Sequence, residues 1–134
     1  MIALDTSAIV AILLSEPEEE VFQRIIARER TMVGAPTLVE ARLVLEGKFV
    51  ASAEATLLDF LSKRRLDIVS FDASMFELAS SAFARFGKGR GHPAKLNFGD
   101  CLSYAVAKAH GLPLLFKGDD FGHTDIVPAY NPDP

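Results

Sequence analysis

Short apolar runs recur along this chain, each followed by a stretch with helical spacing, and that alternation limits the fold more than any other feature. The runs fall at residues 1–4, 31–34, 67–71 and 114–116, with a fifth expected at 125–127. Each is shorter than an ordinary helix and is bounded by acids or turn formers, as buried strands are. In the intervals apolar residues follow a 3.6-residue period; Val21, Phe22, Ile25 and Ile26 share one helix face in this way. Strand–helix alternation implies an α/β fold, a central parallel sheet of four to five strands with helices on both faces. A length of 134 residues allows one domain with one sizeable core. That domain is expected to span residues 1–130, with a frayed tail at 131–134.

Local signals place the helices. One is expected from just after Asp5 through Leu14, and Ser15-Glu16-Pro17-Glu18 reads as a capping box that starts the second. Pro36-Thr37 opens a third, carrying Leu38, Leu43 and Val44. A fourth turns Leu57, Leu58 and Leu61 inward and ends at Lys63-Arg64-Arg65, where cations suit a helix C-terminus. Asp72 caps a fifth, whose Phe76, Ala79, Phe83 and Phe86 share a face and read as core. The last runs from Phe98 to His110 and is stopped by Gly111 and Pro113.

Composition excludes several classes. With 49% hydrophobic and 24% charged residues the chain is not disordered. One cysteine forms no internal disulfide. Cys101 lies beside Asp100, but no motif places His92, His110 or His123 with it, so it reads as a small buried hydrophobe. The apolar stretch at 8–14 is too short to span a bilayer and follows Asp5, where a signal peptide would be positive. A cytoplasmic protein with no membrane partner is expected. A net charge of −4 argues at first against a nucleic-acid partner. Charge placement matters more, and Arg85, Lys88, Arg90 and Lys95 occur with no acid among them.

In parallel α/β sheets sites form beyond the carboxyl ends of the strands, and acids stand at those ends. Asp5 closes the first run and Asp119 follows the fourth. Glu40 is expected in the first turn of the helix after the second run, and Asp100 in the first turn of the last helix. Singly, each has an ordinary reading as a cap or turn residue. Together they would repel by several kcal/mol unless a cation joined them. Oxygen donors without a Cys or His cluster select a hard ion, magnesium or manganese, over zinc. Such an ion acidifies bound water and neutralises charge on a phosphate under attack.

The residues around these acids resemble those of a known family. Met1-Ile2-Ala3-Leu4-Asp5-Thr6-Ser7-Ala8 is similar to the opening of PIN-domain proteins, where a strand ends in Asp-Thr-Ser. Leu96-Asn97-Phe98-Gly99-Asp100-Cys101 and Pro113-Leu114-Leu115-Phe116-Lys117-Gly118-Asp119-Asp120-Phe121 resemble the other two signatures of the VapC toxins. Order and spacing agree along essentially the whole chain.

The resemblance implies a PIN-domain fold and a metal-dependent endoribonuclease that hydrolyses RNA phosphodiester bonds, often in transfer or ribosomal RNA. It implies Mg2+ or Mn2+ as cofactor, a VapB antitoxin that silences the toxin, and a homodimer. By position, Asp5 and Asp100 would be direct metal ligands and Glu40 a third acid, binding directly or through water. Many relatives carry Asp-x-Asp-Phe after the fourth strand, whereas Gly118-Asp119-Asp120-Phe121 puts glycine at the first acid. Asp119 is favoured as the substitute, directly or through water, with Asp120 the alternative. In relatives the hydroxyl at Ser7 helps orient metal or phosphate; the other reading is a helix-start hydroxyl serving the backbone. Lys88, Arg90 and Lys95 would grip the RNA backbone, or simply form a solvated loop.

Two rival functions are weighed. A catalytically inactive PIN-like module binding RNA or protein has no reason to keep every acid. A haloacid-dehalogenase-type phosphatase also begins with Asp after a strand, but needs a second Asp two residues on, where this chain has Ser7.

Overall fold

The computed structural model describes residues 1–48 and 51–132. Four parallel strands form one sheet: β1 (Ile2–Leu4), β2 (Thr31–Gly34), β3 (Leu66–Val69) and β4 (Leu114–Leu115), in the order β3-β2-β1-β4. Ala3 pairs with Met32 on one side and Leu114 on the other, which centres β1. Six helices connect them: α1 (Thr6–Leu13), α2 (Glu19–Arg28), α3 (Ala35–Glu46), α4 (Ala53–Ser62), α5 (Ala73–Phe86) and α6 (Phe98–His110). No helix among the described residues is long and apolar enough to cross a membrane.

Successive strand residues point to opposite faces, and this divides the core in two. Ile2, Leu4, Val33 and Leu115 pack with Ile9 of α1, Phe22 of α2, Leu45 of α3 and Phe60 of α4. Ala3, Met32 and Leu114 pack with Met75 and Phe86 of α5 and Tyr104 and Val106 of α6. Fully burying one side chain of this size stabilises by about 1.5–3 kcal/mol. Helix packing on both faces thus holds strands of only two to four residues.

α6 forms over the expected residues, between an Asn97 cap and Gly111 in the left-handed region (φ 63°). Elsewhere the structure departs from the sequence expectations. The fifth strand at 125–127 does not form. Leu114 instead makes a single bridge with Pro128, and proline has no N–H to continue a ladder. The third strand covers 66–69 rather than 67–71. No capping box forms at 15–18, because Lys117 takes both Glu16 and Glu18, and α2 starts at Glu19. α3 starts at Ala35 with Gly34 before it, so Glu40 lies in the second turn, not the first.

Two helix faces are rotated from their expected setting. In α4, Ala53, Leu57 and Phe60 are buried while Leu58 is exposed. In α5, Met75, Ala82 and Phe86 are buried, whereas Phe76 is 64% and Phe83 40% exposed. Leu43 and Val44 of α3 are exposed as well. A 3.6-residue stripe shows that a face is apolar, not whether this chain covers it. At the end of the chain Tyr130 packs edge-on against Phe22, with ring centroids 5.8 Å apart. Asp133 and Pro134, the end of the expected frayed tail, lie outside the described residues.

Candidate active site

Asp5 is the residue at which β1 becomes α1. Its N–H completes the sheet by donating to Leu115 at 3.0 Å. Its side chain then caps the helix: Oδ2 accepts from the Ser7 N–H at 3.1 Å and from the Ser7 hydroxyl at 2.6 Å. The cap reading is therefore correct for Asp5, yet it engages one oxygen only. Among the described residues Oδ1 makes no hydrogen bond. Ser7 Oγ in turn accepts from the Lys117 N–H at 2.9 Å. Ser7 thus orients Asp5 and joins β1 to the segment after β4.

Asp100 occupies the first turn of α6 in a reciprocal capping box. Its N–H donates to Asn97 Oδ1 at 2.9 Å, and its Oδ2 accepts from the Asn97 N–H at 3.0 Å. It is only 8% exposed. Burial pushes this carboxyl up to about 8; the Asn97 N–H pulls it back, and the carboxyls of Asp120 and Asp5 push it further up. Like charges therefore converge here from the ends of β1 and β4 and the start of α6. Asp120 opens the 3-10 turn Asp120–His123, preceded by Gly118 at φ 101°. It stands against Asp100; Asp119, favoured from sequence, is not among the groups that perturb Asp100.

Glu40 reaches the same edge from α3. The Thr6 hydroxyl, next to Asp5, donates to Glu40 Oε1. A Cβ on Gly99, next to Asp100, would fall on the Glu40 carboxylate. Glu40 therefore rests against the N-terminus of α6, where the helix dipole favours an anion. Only glycine at 99 allows that approach. Thr6 and Gly99 lie within the quoted motifs, but the sequence reading gave neither a role toward Glu40.

The basic segment leads directly into α6. Its base is closed by Lys88 N–H to Leu96 and Leu96 N–H to Phe86, both at 2.8 Å. Lys88, Arg90 and Lys95 are exposed, and none pairs with an acid among the described residues. Arg90 lies over the Phe83 ring, 5.2 Å from its centroid. Cys101 is buried, and desolvation followed by the nearby Asp100 charge pushes its thiol up to about 11. Such a thiol is no nucleophile at neutral pH.

The donor set suits a hard divalent cation, since it consists of carboxylates without histidine or cysteine. Burial first, and then Asp120 and Asp5, push Asp100 toward its protonated form, an energetic deficit that a bound cation would relieve. As placed, no three acids, histidines or cysteines among the described residues close into a finished chelate. What joins the acids is electrostatic: Asp5 and Asp120 each add to the burial that raises Asp100.

The sequence and the fold both have known relatives. The PIN domain family model matches residues 2–127. Over 125 residues the chain is 41% identical to Ribonuclease VapC30 of Mycobacterium tuberculosis, covering 92% of this chain and 95% of that one. It is 44% identical over 126 residues to Ribonuclease VapC of Mycolicibacterium smegmatis, covering 92% and 96%. The chain belongs to the PIN domain family, and within it to the VapC ribonucleases. Among solved structures, the sarcin–ricin loop cleaving toxin VapC20 of Mycobacterium tuberculosis shares the fold with a TM-score of 0.77 at 18% identity, over 95% of this chain and 97% of that one. VapBC2 from Rickettsia felis, bound to a promoter DNA fragment, gives 0.74 at 19% identity, over 96% and 97%.

Proposed function

We propose that this protein is a VapC-like toxin, an endoribonuclease that hydrolyses RNA phosphodiester bonds with a Mg2+ or Mn2+ ion held by Asp5 and Asp100. The observation that carries this reading is the convergence of Asp5, Asp100 and Asp120, with Asp100 pushed up to about 8 by burial and by its neighbours. Glu40 is assigned a supporting place, direct or through water, and Asp120 takes the fourth acid position in preference to Asp119. When bound, a divalent ion supplies acidified water and neutralises charge on the attacked phosphate. Ser7 and Thr6 orient the acids, and the N-terminus of α6 adds positive potential beside them. Lys88, Arg90 and Lys95 provide exposed cations for the RNA backbone, giving affinity and salt dependence rather than sequence choice. The inactive alternative finds no support: the relatives that match over nine-tenths of the chain are ribonucleases, and Asp5, Glu40 and Asp100 stand where the family's acids are expected although Gly118 replaces one of them.

A VapB-type antitoxin is the proposed silencing partner, as in the VapBC pair among the structural neighbours. A homodimer is proposed through the face of α3, α5 and α6. There Val39, Leu43, Phe76, Phe83 and Phe98 line an open apolar groove of about 1400 Å3. Glu40 is the single charged residue among its described lining, so a second copy would meet little like-charge repulsion.

RNA cleavage with mapped ends, assayed with Mn2+ and with excess EDTA, tests the enzymatic reading. Activity is expected to vanish with chelator and with Asp5→Asn or Asp100→Asn while the fold survives. Cleavage that persists in EDTA refutes the metal assignment.

A further inference from the structure

One cation ties the segment after β4 to the turn between α1 and α2. Lys117 Nζ lies 3.1 Å from Glu16 Oε1 and 3.2 Å from Glu18 Oε1. The Glu18 oxygen is buried and makes no hydrogen bond among the described residues, so the ammonium is what balances it. The three side chains are about one-third exposed, at 35, 32 and 30%, which shields the cluster from full solvent screening. The turn itself is fixed by Ser15, whose φ of 54° lies in the left-handed region.

A simple staple between two loops would explain the ion pairs alone. The same residue does something more: its main-chain N–H donates to Ser7 Oγ at 2.9 Å. A hydroxyl carries one proton. With its oxygen accepting from Lys117, Ser7 gives that proton to Asp5 Oδ2 at 2.6 Å. The Ser7 N–H reaches the same oxygen at 3.1 Å. The clamp therefore acts on main chain that bonds Ser7, the side chain that orients Asp5 among the described residues.

We propose that Lys117 is a positioning residue for Asp5. Held by Glu16 and Glu18, it fixes the backbone after β4, whose N–H sets the Ser7 hydroxyl, which sets the Asp5 carboxylate opposite Asp100. The consequence for metal affinity rests on the reading of Asp5 as a ligand; the mechanical coupling does not.

The experiment uses the full chain and its variants Lys117→Met, Lys117→Arg, Ser7→Ala and the Lys117→Met/Ser7→Ala pair. In metal-free protein, amide exchange by NMR at Ser7 and Lys117 should quicken about tenfold or more in Lys117→Met, with the sheet-bonded amides of Ala3 and Asp5 unchanged. Lys117→Arg should keep the protection. In Mn2+ titrations followed by electron paramagnetic resonance, Lys117→Met and Ser7→Ala should each weaken binding by about tenfold. The pair should bind no more weakly than either alone, because both act through one carboxylate. Should Lys117→Met not fold, Glu16→Gln with Glu18→Gln opens the clamp while leaving the lysine, and must reproduce the same losses. Unchanged exchange at Ser7, or Mn2+ effects that multiply in the pair, overturns the proposal. A parent that binds no Mn2+ removes the metal reading of the site, while the exchange comparison still decides the coupling.

Discussion

Asp120 lies close enough to Asp100 that, on top of burial and together with the charge of Asp5, its carboxyl pushes the Asp100 carboxyl up, and Asp119 is not among the groups that do so. The two neighbouring acids should therefore differ sharply on substitution. Asp120→Asn is expected to lower the rate of RNA cleavage by about 10- to 100-fold, the usual cost of losing a group that supports a metal site. Asp119→Asn should stay near the parent. Initial rates at saturating Mn2+ measure both, and the reverse ranking would return the assignment to Asp119.

The protonation of Asp100 sets a pH dependence of stability. Folded, this carboxyl holds its proton to about pH 8; its ordinary value is 3.8. Between those limits the folded state binds more protons than the unfolded one, so stability falls as pH rises. The melting temperature of metal-free protein should decline from about pH 4 to about pH 8, a slope that Asp100→Asn flattens. Asparagine keeps an oxygen for the Asn97 N–H, so the cap survives. Mn2+ affinity should run the other way, rising toward pH 8, because the ion must displace that proton. A melting temperature of the metal-free protein that climbs across this window, in parent but not in Asp100→Asn, would contradict the account.

Gly99 makes room for Glu40. Gly99→Ala puts a methyl on the Glu40 carboxylate, driving that side chain away from Thr6 and from the N-terminus of α6. Cleavage should fall by about tenfold or more, with a stability loss of about 1 kcal/mol. Adding Glu40→Ala should restore the melting temperature but not the activity. Thermal denaturation of the single and double variants decides the matter; no recovery in the double variant would place the strain elsewhere.

The apolar face of α3 and α5 carries a prediction about assembly. Phe76 is 64% and Leu43 66% exposed beside the same groove. Phe76→Glu or Leu43→Glu should shift the protein from dimer to monomer in light scattering after gel filtration, with little change in helix content by circular dichroism. A parent already monomeric at tens of micromolar would remove this face as the dimer contact.

The elements that formed as the sequence reads are those whose signals are contiguous. The last helix is bounded by an asparagine cap with an acid three residues on and by a glycine that accepts a left-handed conformation. Asp72 likewise caps α5 through the Met75 N–H at 3.0 Å. An apolar run ending in Asp5, and a cap signal that puts Asp100 in the first turn of the last helix, were both legible in the residue order. These are statements about neighbours within one turn or one strand, so local chemistry is enough to make them.

Tertiary structure alone decided which distant groups meet. Ser15-Glu16-Pro17-Glu18 has the pattern of a cap, but Lys117, about a hundred residues later, claims both glutamates. Phe76 and Phe83 have the spacing of core, but α5 turns Met75, Ala82 and Phe86 inward instead. Asp119 and Asp120 are indistinguishable in composition, and only the 3-10 turn after Gly118 sets one of them against Asp100. The amino-acid order determined the strands, the caps and the supply of acids, because those depend on short-range backbone geometry and hydrogen bonding. The pairing of charges and the choice of covered face depend on packing between remote segments, and that is settled only when the chain closes on itself.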